Sequence, residues 1–210
     1  MISIFPCARG QSRSRQPDIP ELAAGHVLQG IASRETYVHG GCAADIWCAA
    51  SALQALVPET APCLDYIGGS FGGGIGALAL PWDDRFHAAH LSVPSFGNHP
   101  LRLTLPCTGS GESVRLYHRE HAEVVEVLRY FDAATAARHI RIPVLVAAAL
   151  FDPAVPPPGQ FAVYNALPGP KKLFVLSAGH FDHPGTAAED RRLRGMLERF
   201  FANSDMENDA

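Results

Sequence analysis

The chain has 210 residues, 47% of them hydrophobic and 18% charged, which is enough to bury one sizeable core and gives no reason to expect a second domain. A net charge of -4 excludes the electrostatic footprint of a nucleic-acid or anionic-membrane binder. No run reaches the roughly 18 apolar residues of a membrane span. The start, MISIFPCARGQSR, lacks a signal peptide's layout, and five scattered cysteines without a CxxC pair read as reduced thiols. A cytoplasmic protein is expected.

In chain order, ISIFPC (2–7) is apolar and β-prone and is expected as a strand, followed by a polar, proline-rich loop through ARGQSRSRQPDIP. Ala43, Ile46, Trp47, Ala50, Leu53 and Leu56 recur at helical spacing over 40–57, and Pro58 stops that helix. CLDYI (63–67) is strand-like, the glycine-rich stretch follows, and GALAL reads as helix up to Pro81. HAAHLSV (87–93) is a strand ended by Pro94; residues 94–111 are irregular, rich in proline and glycine. An amphipathic helix is expected over 112–131, then Asp132 as N-cap for AATAARH. IPVLVAAALF (142–151) is a continuous apolar run of the kind covered on both faces in a parallel sheet. A short helix over 159–167 and a strand, KKLFVLSA (171–178), follow. Leu193, Met196, Leu197, Phe200 and Phe201 mark a last helix packing one face on the core. The alternation predicts a single α/β domain over 1–202 with a mostly parallel sheet, a helical insertion around 94–131 serving as a cap or oligomer contact, and a frayed polar tail over 203–210.

Within IGGSFGGGIGALAL, Gly68-Gly69-Ser70-Phe71-Gly72 fits G-x-S-x-G between a strand and a small-residue helix. In that setting the chain turns sharply, and side chains two positions either side of the serine would collide with helix and strand. The serine hydroxyl projects from a strained residue, and the Phe71 backbone N–H faces a developing oxyanion. A phosphate loop is disfavoured, since no G-x-x-x-x-G-K-[ST] is present and no lysine lies near. Glycines that merely let a helix sit close to a strand would produce the same string without catalysis.

A serine needs a base, and the base an orienting acid. Asp152 directly follows the apolar run ending at Phe151, and His180 follows KKLFVLSAG, so Ser70, Asp152 and His180 occur in the order of such sheets, each just beyond a strand. An aspartate before proline is also a turn former, and one of 10 histidines behind a strand is unremarkable alone; the joint order is what favours a triad. Asp182 is the next candidate acid. His180 and His183 form H-x-x-H without a further ligand set, and His87 and His90 point to opposite faces of a strand, so no metal site is expected. His118 and His121 face solvent or the cap, and Asp65 has a surface or turn role. His183 reads as a loop residue near the mouth.

With these residues in place the sequence resembles the acetyl xylan esterase / cephalosporin-C deacetylase family of α/β-hydrolases. ARGQ (8–11) is similar to its RGQ segment, ETYVHGGCAADIWCAASAL to its Tyr-rich helix with an internal aspartate, here Asp45, and IGGSFGGG to its elbow. VLRYFDAATAA, LFDPAVPP, FAVYNALPGPKKL and SAGHFDH match its YFD, acid-loop, AYN and histidine-loop segments. The resemblance implies an α/β-hydrolase with helices on both faces of the sheet, Ser70 as nucleophile, Asp152 as acid and His180 as base. It further implies hydrolysis of acetyl esters of sugars, or of other small acyl esters, through an acyl-enzyme without metal or cofactor, in a homo-oligomer. Gln11 and His183 are the candidate substrate-binding residues, and Arg9 with Asp45 is expected either as an ion pair beneath the site or as two solvated groups.

Two departures shape the expectation. Phe71 stands where the family often has glutamine, making the pocket wall more apolar. The family's first strands and an HGY-type oxyanion loop precede the RGQ strand, so an N-terminally shortened member is expected; one lost oxyanion donor costs roughly 10²–10³ in turnover. Two alternatives stand beside the esterase: a weakly active or inactive remnant that works as an oligomer or with a partner, and a hydrolase of another acyl substrate such as a peptidase or thioesterase.

Overall fold

A computed structural model describes residues 2–58 and 63–207. Four strands, β1 (Leu64–Gly69), β2 (Phe86–Ser92), β3 (Val144–Phe151) and β4 (Lys171–Ala178), form one parallel sheet in the order β1-β2-β3-β4. Ile67 pairs with His90, Leu91 with Val146, and Ala147 with Phe174. The apolar run of the middle strand β3 is buried on both faces as its composition demands. Its residues alternate: Val144, Val146 and Ala148 join the main core, while Leu145, Ala147 and Ala149 face the last helix.

The main core lies under α2 (Val38–Leu56), α3 (Phe71–Ala79), α7 (Ala133–Ala137) and α8 (Pro157–Ala166). The opposite face is covered by α9 (Thr186–Glu207), whose Leu193, Met196, Leu197, Phe200 and Phe201 pack on Ala88, Leu145 and Phe174. Helices therefore flank both faces, as expected of an α/β-hydrolase. Two short helices were not foreseen in the sequence, α1 (Ala23–His26) and α4 (His99–Arg102). Trp47 Nε1 donates to the Ala79 carbonyl at 3.1 Å and hooks α2 to the end of α3. Asp132 caps α7 through Thr135 N (2.8 Å) and also receives the His99 amide (2.6 Å), tying the insertion to the core.

Three expectations differ from the structure. Residues 2–7 form no strand: Phe5 is 88% exposed and no described strand lies beside them, and an isolated extended segment has nothing to pair with. The helix expected over 112–131 is two helices, α5 (Gly111–Glu120) and α6 (Val124–Leu128). The break falls at His121, whose Nδ1 donates to the Tyr117 carbonyl (3.1 Å) and whose ring stacks on Tyr117 (centroids 4.0 Å apart), closing α5. At the other end, α9 continues to Glu207, because no proline or glycine in 203–207 ends it; residues 208–210 lie outside the described residues. No helix among the described residues is long and apolar enough to cross a membrane.

Burial of imidazoles makes this fold acid-sensitive. Burial pushes His39 well below its ordinary value, His99 down to about 4, and His90 down as well, the last against the pull of its hydrogen bond to the Leu145 carbonyl. In the unfolded chain each takes up a proton near pH 6.5, so below that pH the unfolded state binds more protons and stability falls. His180, whose value is raised by Asp152, works in the opposite sense. The unfolding free energy is expected to drop between about pH 6.5 and 5, by up to about 1.4 kcal/mol per pH unit for each of the three histidines. Urea titrations across that window check it; a flat stability would contradict it.

Candidate active site

The site is built at the carboxyl ends of β1, β3 and β4. β1 ends at Gly69 and α3 starts at Phe71, which leaves Ser70 alone to turn the chain. Its backbone sits at φ 51°, ψ -115°, a conformation that costs a side-chain-bearing residue of order 1–3 kcal/mol. Three backbone hydrogen bonds impose it: Ser70 N donates to Ser92 O (2.8 Å), and Ser70 O accepts from Gly74 N and Ser95 N (both 3.1 Å). A Cβ on Gly68 would lie 2.7 Å from the Gly72 carbonyl oxygen, so glycine is required there, as the motif implies. The other flank differs from expectation. A Cβ on Gly72 would meet only the Tyr66 hydroxyl at 3.8 Å, an ordinary contact. The close approach comes instead at Gly76, where a Cβ would overlap the Tyr66 ring, while the Tyr66 hydroxyl donates to the Gly72 carbonyl (2.7 Å).

His180, two residues past β4 and also at positive φ (51°), lies 2.8 Å through Nε2 from Ser70 Oγ and 2.8 Å through Nδ1 from Asp152 Oδ2. Asp152 is buried, and every partner of its carboxylate is a donor. Oδ1 accepts from the Ala154 and Val155 amides (2.9 Å each), and Oδ2 accepts from Gln160 Nε2 (2.9 Å) and from His180. Burial alone would push this carboxyl up; the hydrogen bonds from His180, Val155 and Ala154 outweigh it and hold the group below its ordinary value. The ionised carboxylate fixes the His180 proton on Nδ1, leaving the Nε2 lone pair for the Ser70 hydroxyl. The same hydrogen bond raises the His180 pKa, against burial. Such an array can take a proton from Ser70 and return it to a leaving group.

Gln160 escaped the sequence reading. Fully buried on α8, it accepts the Ala149 amide on Oε1 (2.8 Å) and donates from Nε2 to Asp152 and to the Val155 carbonyl (2.7 Å). It braces the acid loop against β3, and its only signal in the sequence is a polar residue on the inward face of a short helix. Phe71, first in α3, has an N–H without an acceptor inside the helix. Its ring stands edge-on to His26 (5.5 Å), His39 (5.6 Å) and Phe96 (5.5 Å), an aromatic wall beside Ser70. Arg9 and Asp45 do form the bidentate ion pair weighed above (2.8 and 2.6 Å). His26 Nε2 donates to the Arg9 carbonyl (2.9 Å), so the pair reaches the elbow through the His26–Phe71 contact.

The remaining candidates are placed differently. Both nitrogens of His183 are taken up, Nδ1 by the Gly185 amide (3.1 Å) and Nε2 by Glu189 (3.3 Å), which leaves neither for a substrate. Gln11 precedes a short turn and is engaged through its backbone, with Ala8 O (3.0 Å) and Ser14 N (2.8 Å), and has no hydrogen bond to the array. Asp182 is exposed, and the position at His180 Nδ1 belongs to Asp152. Among the described residues no group of three or more His, Cys, Asp or Glu side chains is placed to hold a metal ion.

Solved structures with the same arrangement of elements include esterases and peptidases. The chain is similar to an acetyl xylan esterase from Paenibacillus sp. R4 at 25% identity and a TM-score of 0.70, the match covering 88% of this chain and 59% of that one. It is similar to acetyl xylan esterase 1 from Thermoanaerobacterium sp. JW/SL YS485 at 23% identity and a TM-score of 0.68, over 83% and 57% of the two chains. An acylaminoacyl peptidase from Pyrococcus horikoshii shares the fold at 14% identity and a TM-score of 0.64, over 84% of this chain and 29% of the peptidase. The chain thus spans less than two thirds of the length of these esterases. Residues 3–195, which include the elbow, the acid loop and the histidine loop, match the acetyl xylan esterase (AXE1) family. The chain belongs to the acetyl xylan esterase family and has the α/β-hydrolase fold.

Proposed function

We propose that the protein is a serine esterase that removes acetyl groups from carbohydrate esters through an acyl-enzyme. The observation that carries this reading is the continuous hydrogen-bonded line from Ser70 Oγ through His180 to Asp152, each step 2.8 Å. Ser70 Oγ passes its proton to His180 Nε2 and bonds to the acetyl carbonyl carbon. The oxygen gathers negative charge and is received by the Phe71 N–H at the start of α3, a donor worth about 2.7–4 kcal/mol in the transition state. The sugar oxygen leaves with the proton from Nε2, and the acetyl group stays on Ser70. Water then gives a proton to Nε2 and attacks the same carbon; the bond from that carbon to Ser70 Oγ breaks as Nε2 returns the proton to Oγ, which releases acetate and restores the serine. Family membership supports acetylated sugars as the substrate class.

The test compares p-nitrophenyl acetate, p-nitrophenyl octanoate, an acetyl p-nitroanilide and acetylated xylo-oligosaccharides. Acetyl esters are expected to turn over fastest, with release of free acetate from the oligosaccharides. Preference for the anilide would assign a peptidase instead. No turnover of any of them would assign the inactive remnant.

A further inference from the structure

Glu189, in the first turn of α9, is a buried carboxylate (6% exposed) with no part in the steps above. Its Oε2 accepts the Ser177 amide (3.1 Å), its Oε1 accepts the Ser177 hydroxyl, and His183 Nε2 lies 3.3 Å from Oε2. Because the Gly185 N–H donates to His183 Nδ1, the His183 proton sits on Nε2 and points at Glu189. The His183 backbone is fixed too, donating to Thr186 Oγ1 (2.9 Å). Arg192 Nη2, largely exposed, stands 3.7 Å from Oε1.

These contacts have a consistent geometry. Ser177 lies three residues before His180 and His183 three after it, so one carboxylate grips both feet of the loop that carries His180. Between the feet the loop is held by Gly179 N, which donates to Phe151 O (2.8 Å), by the edge-on contact of the Phe181 ring with Phe151 (centroids 5.9 Å apart) and by the His180 side chain itself, while the His180 backbone sits at φ 51° and Phe181 and Asp182 are exposed. The groups facing His180 are Asp152 and Ser70; those facing Glu189 are Ser177, His183 and Arg192. We propose that Glu189, acting through Ser177 and His183, is a positioning residue that clamps the histidine loop and keeps His180 in line between Asp152 and Ser70. Its kinetic consequence rests on the esterase reading; its geometric consequence does not.

Glu189→Gln keeps the shape of the side chain but removes its charge. The amide oxygen can accept from the Ser177 amide and His183 Nε2 only with the N–H₂ turned to the Ser177 hydroxyl as its acceptor, so neutral hydrogen bonds replace charge-assisted ones of about twice the strength. A displacement of the base by about 1 Å is worth about 10²-fold in rate, so kcat for p-nitrophenyl acetate is expected to fall by roughly 10–10²-fold with KM nearly unchanged. Because the pKa of His180 is raised by its bond to Asp152, loosening that bond moves the acid limb of the kcat/KM profile to lower pH. The low-field imidazole Nδ1–H resonance of His180 is expected in the wild type and broadened or lost in the variant. Ser177→Ala, which keeps the His183 contact, should move every readout the same way by less, and it carries the test if Glu189→Gln does not fold. Wild-type kcat, acid limb and resonance in a folded variant would overturn the clamp, as would a wild type without the resonance. If the wild type hydrolyses no ester, the esterase reading fails separately and the resonance alone decides: its loss in the variant supports the clamp, and its persistence overturns it.

Discussion

Replacing Ser70 by alanine is expected to remove at least about 10⁴-fold of the p-nitrophenyl acetate turnover and leave the fold in place. The first half follows from the line of hydrogen bonds that ends on Ser70 Oγ: without that atom His180 Nε2 has no nucleophile to activate. The second half follows from the backbone. Ser70 N, Ser92 O, Gly74 N and Ser95 N hold the elbow through main-chain groups that alanine retains, so the unfolding midpoint should stay near that of the wild type. Ser70→Gly separates the two effects further. At φ 51°, ψ -115° a glycine is unstrained, and the glycine variant should be about 1 kcal/mol more stable than the alanine one while equally inactive. Hydrolysis by Ser70→Ala at a rate near wild type would remove the serine from the reaction.

The second large effect is expected at Asp152. Four N–H groups converge on its two oxygens, from Ala154, Val155, Gln160 and His180, and none of these partners is an acceptor. An asparagine there must turn its N–H₂ towards two of those donors. If it points at His180, the imidazole can hydrogen-bond to it only by moving its proton to Nε2, and the lone pair that should receive the Ser70 proton is gone. Asp152→Asn is therefore expected to lower kcat by about 10⁴-fold, as loss of the correct tautomer does in other triads. Stability should fall too, by about 1–3 kcal/mol for the buried donors left unpaired. The acid limb of any residual activity should lie lower than in the wild type, because the carboxylate that raises His180 is missing. Steady-state kinetics against pH, with urea unfolding of the same samples, measures all three. A variant with full activity would move the acid elsewhere.

What the sequence made legible divides along a physical line. β3 could be read because eight residues that repeat one chemical property on both faces admit few other structures, and the elbow because Gly68 answers a steric demand made by its own near neighbours. Ser70, Asp152 and His180 were legible as an ordered set at strand ends, and the Arg9–Asp45 pair only as one of two alternatives, the other being two solvated groups. Features that depend on a particular folded contact were not. Nothing in KKLFVLSAGHFDHPGTAAED shows that Glu189 will return to Ser177 and His183; that becomes visible only when α9 is laid against β4, and it takes His183 away from the substrate role first given to it. Gln160 is the same case within the acid loop. The strand expected over 2–7 failed for the converse reason: β-propensity describes a residue's fitness for a sheet and cannot supply a neighbouring strand. The single long helix expected over 112–131 missed the turn at His121, which leaves helical geometry (φ -134°, ψ 70°) with its backbone N–H and its Nδ1 both donating to the Tyr117 carbonyl.

The central claim is that chemistry passes through a covalent bond to Ser70, and trapping that bond tests it most directly. Protein mixed with p-nitrophenyl acetate, quenched in acid at short times and digested for mass spectrometry, should carry one acetyl group, on the peptide containing Ser70. The label should be absent from Ser70→Ala. Release of p-nitrophenol by the wild type with no acetyl group ever found on Ser70 would contradict the account.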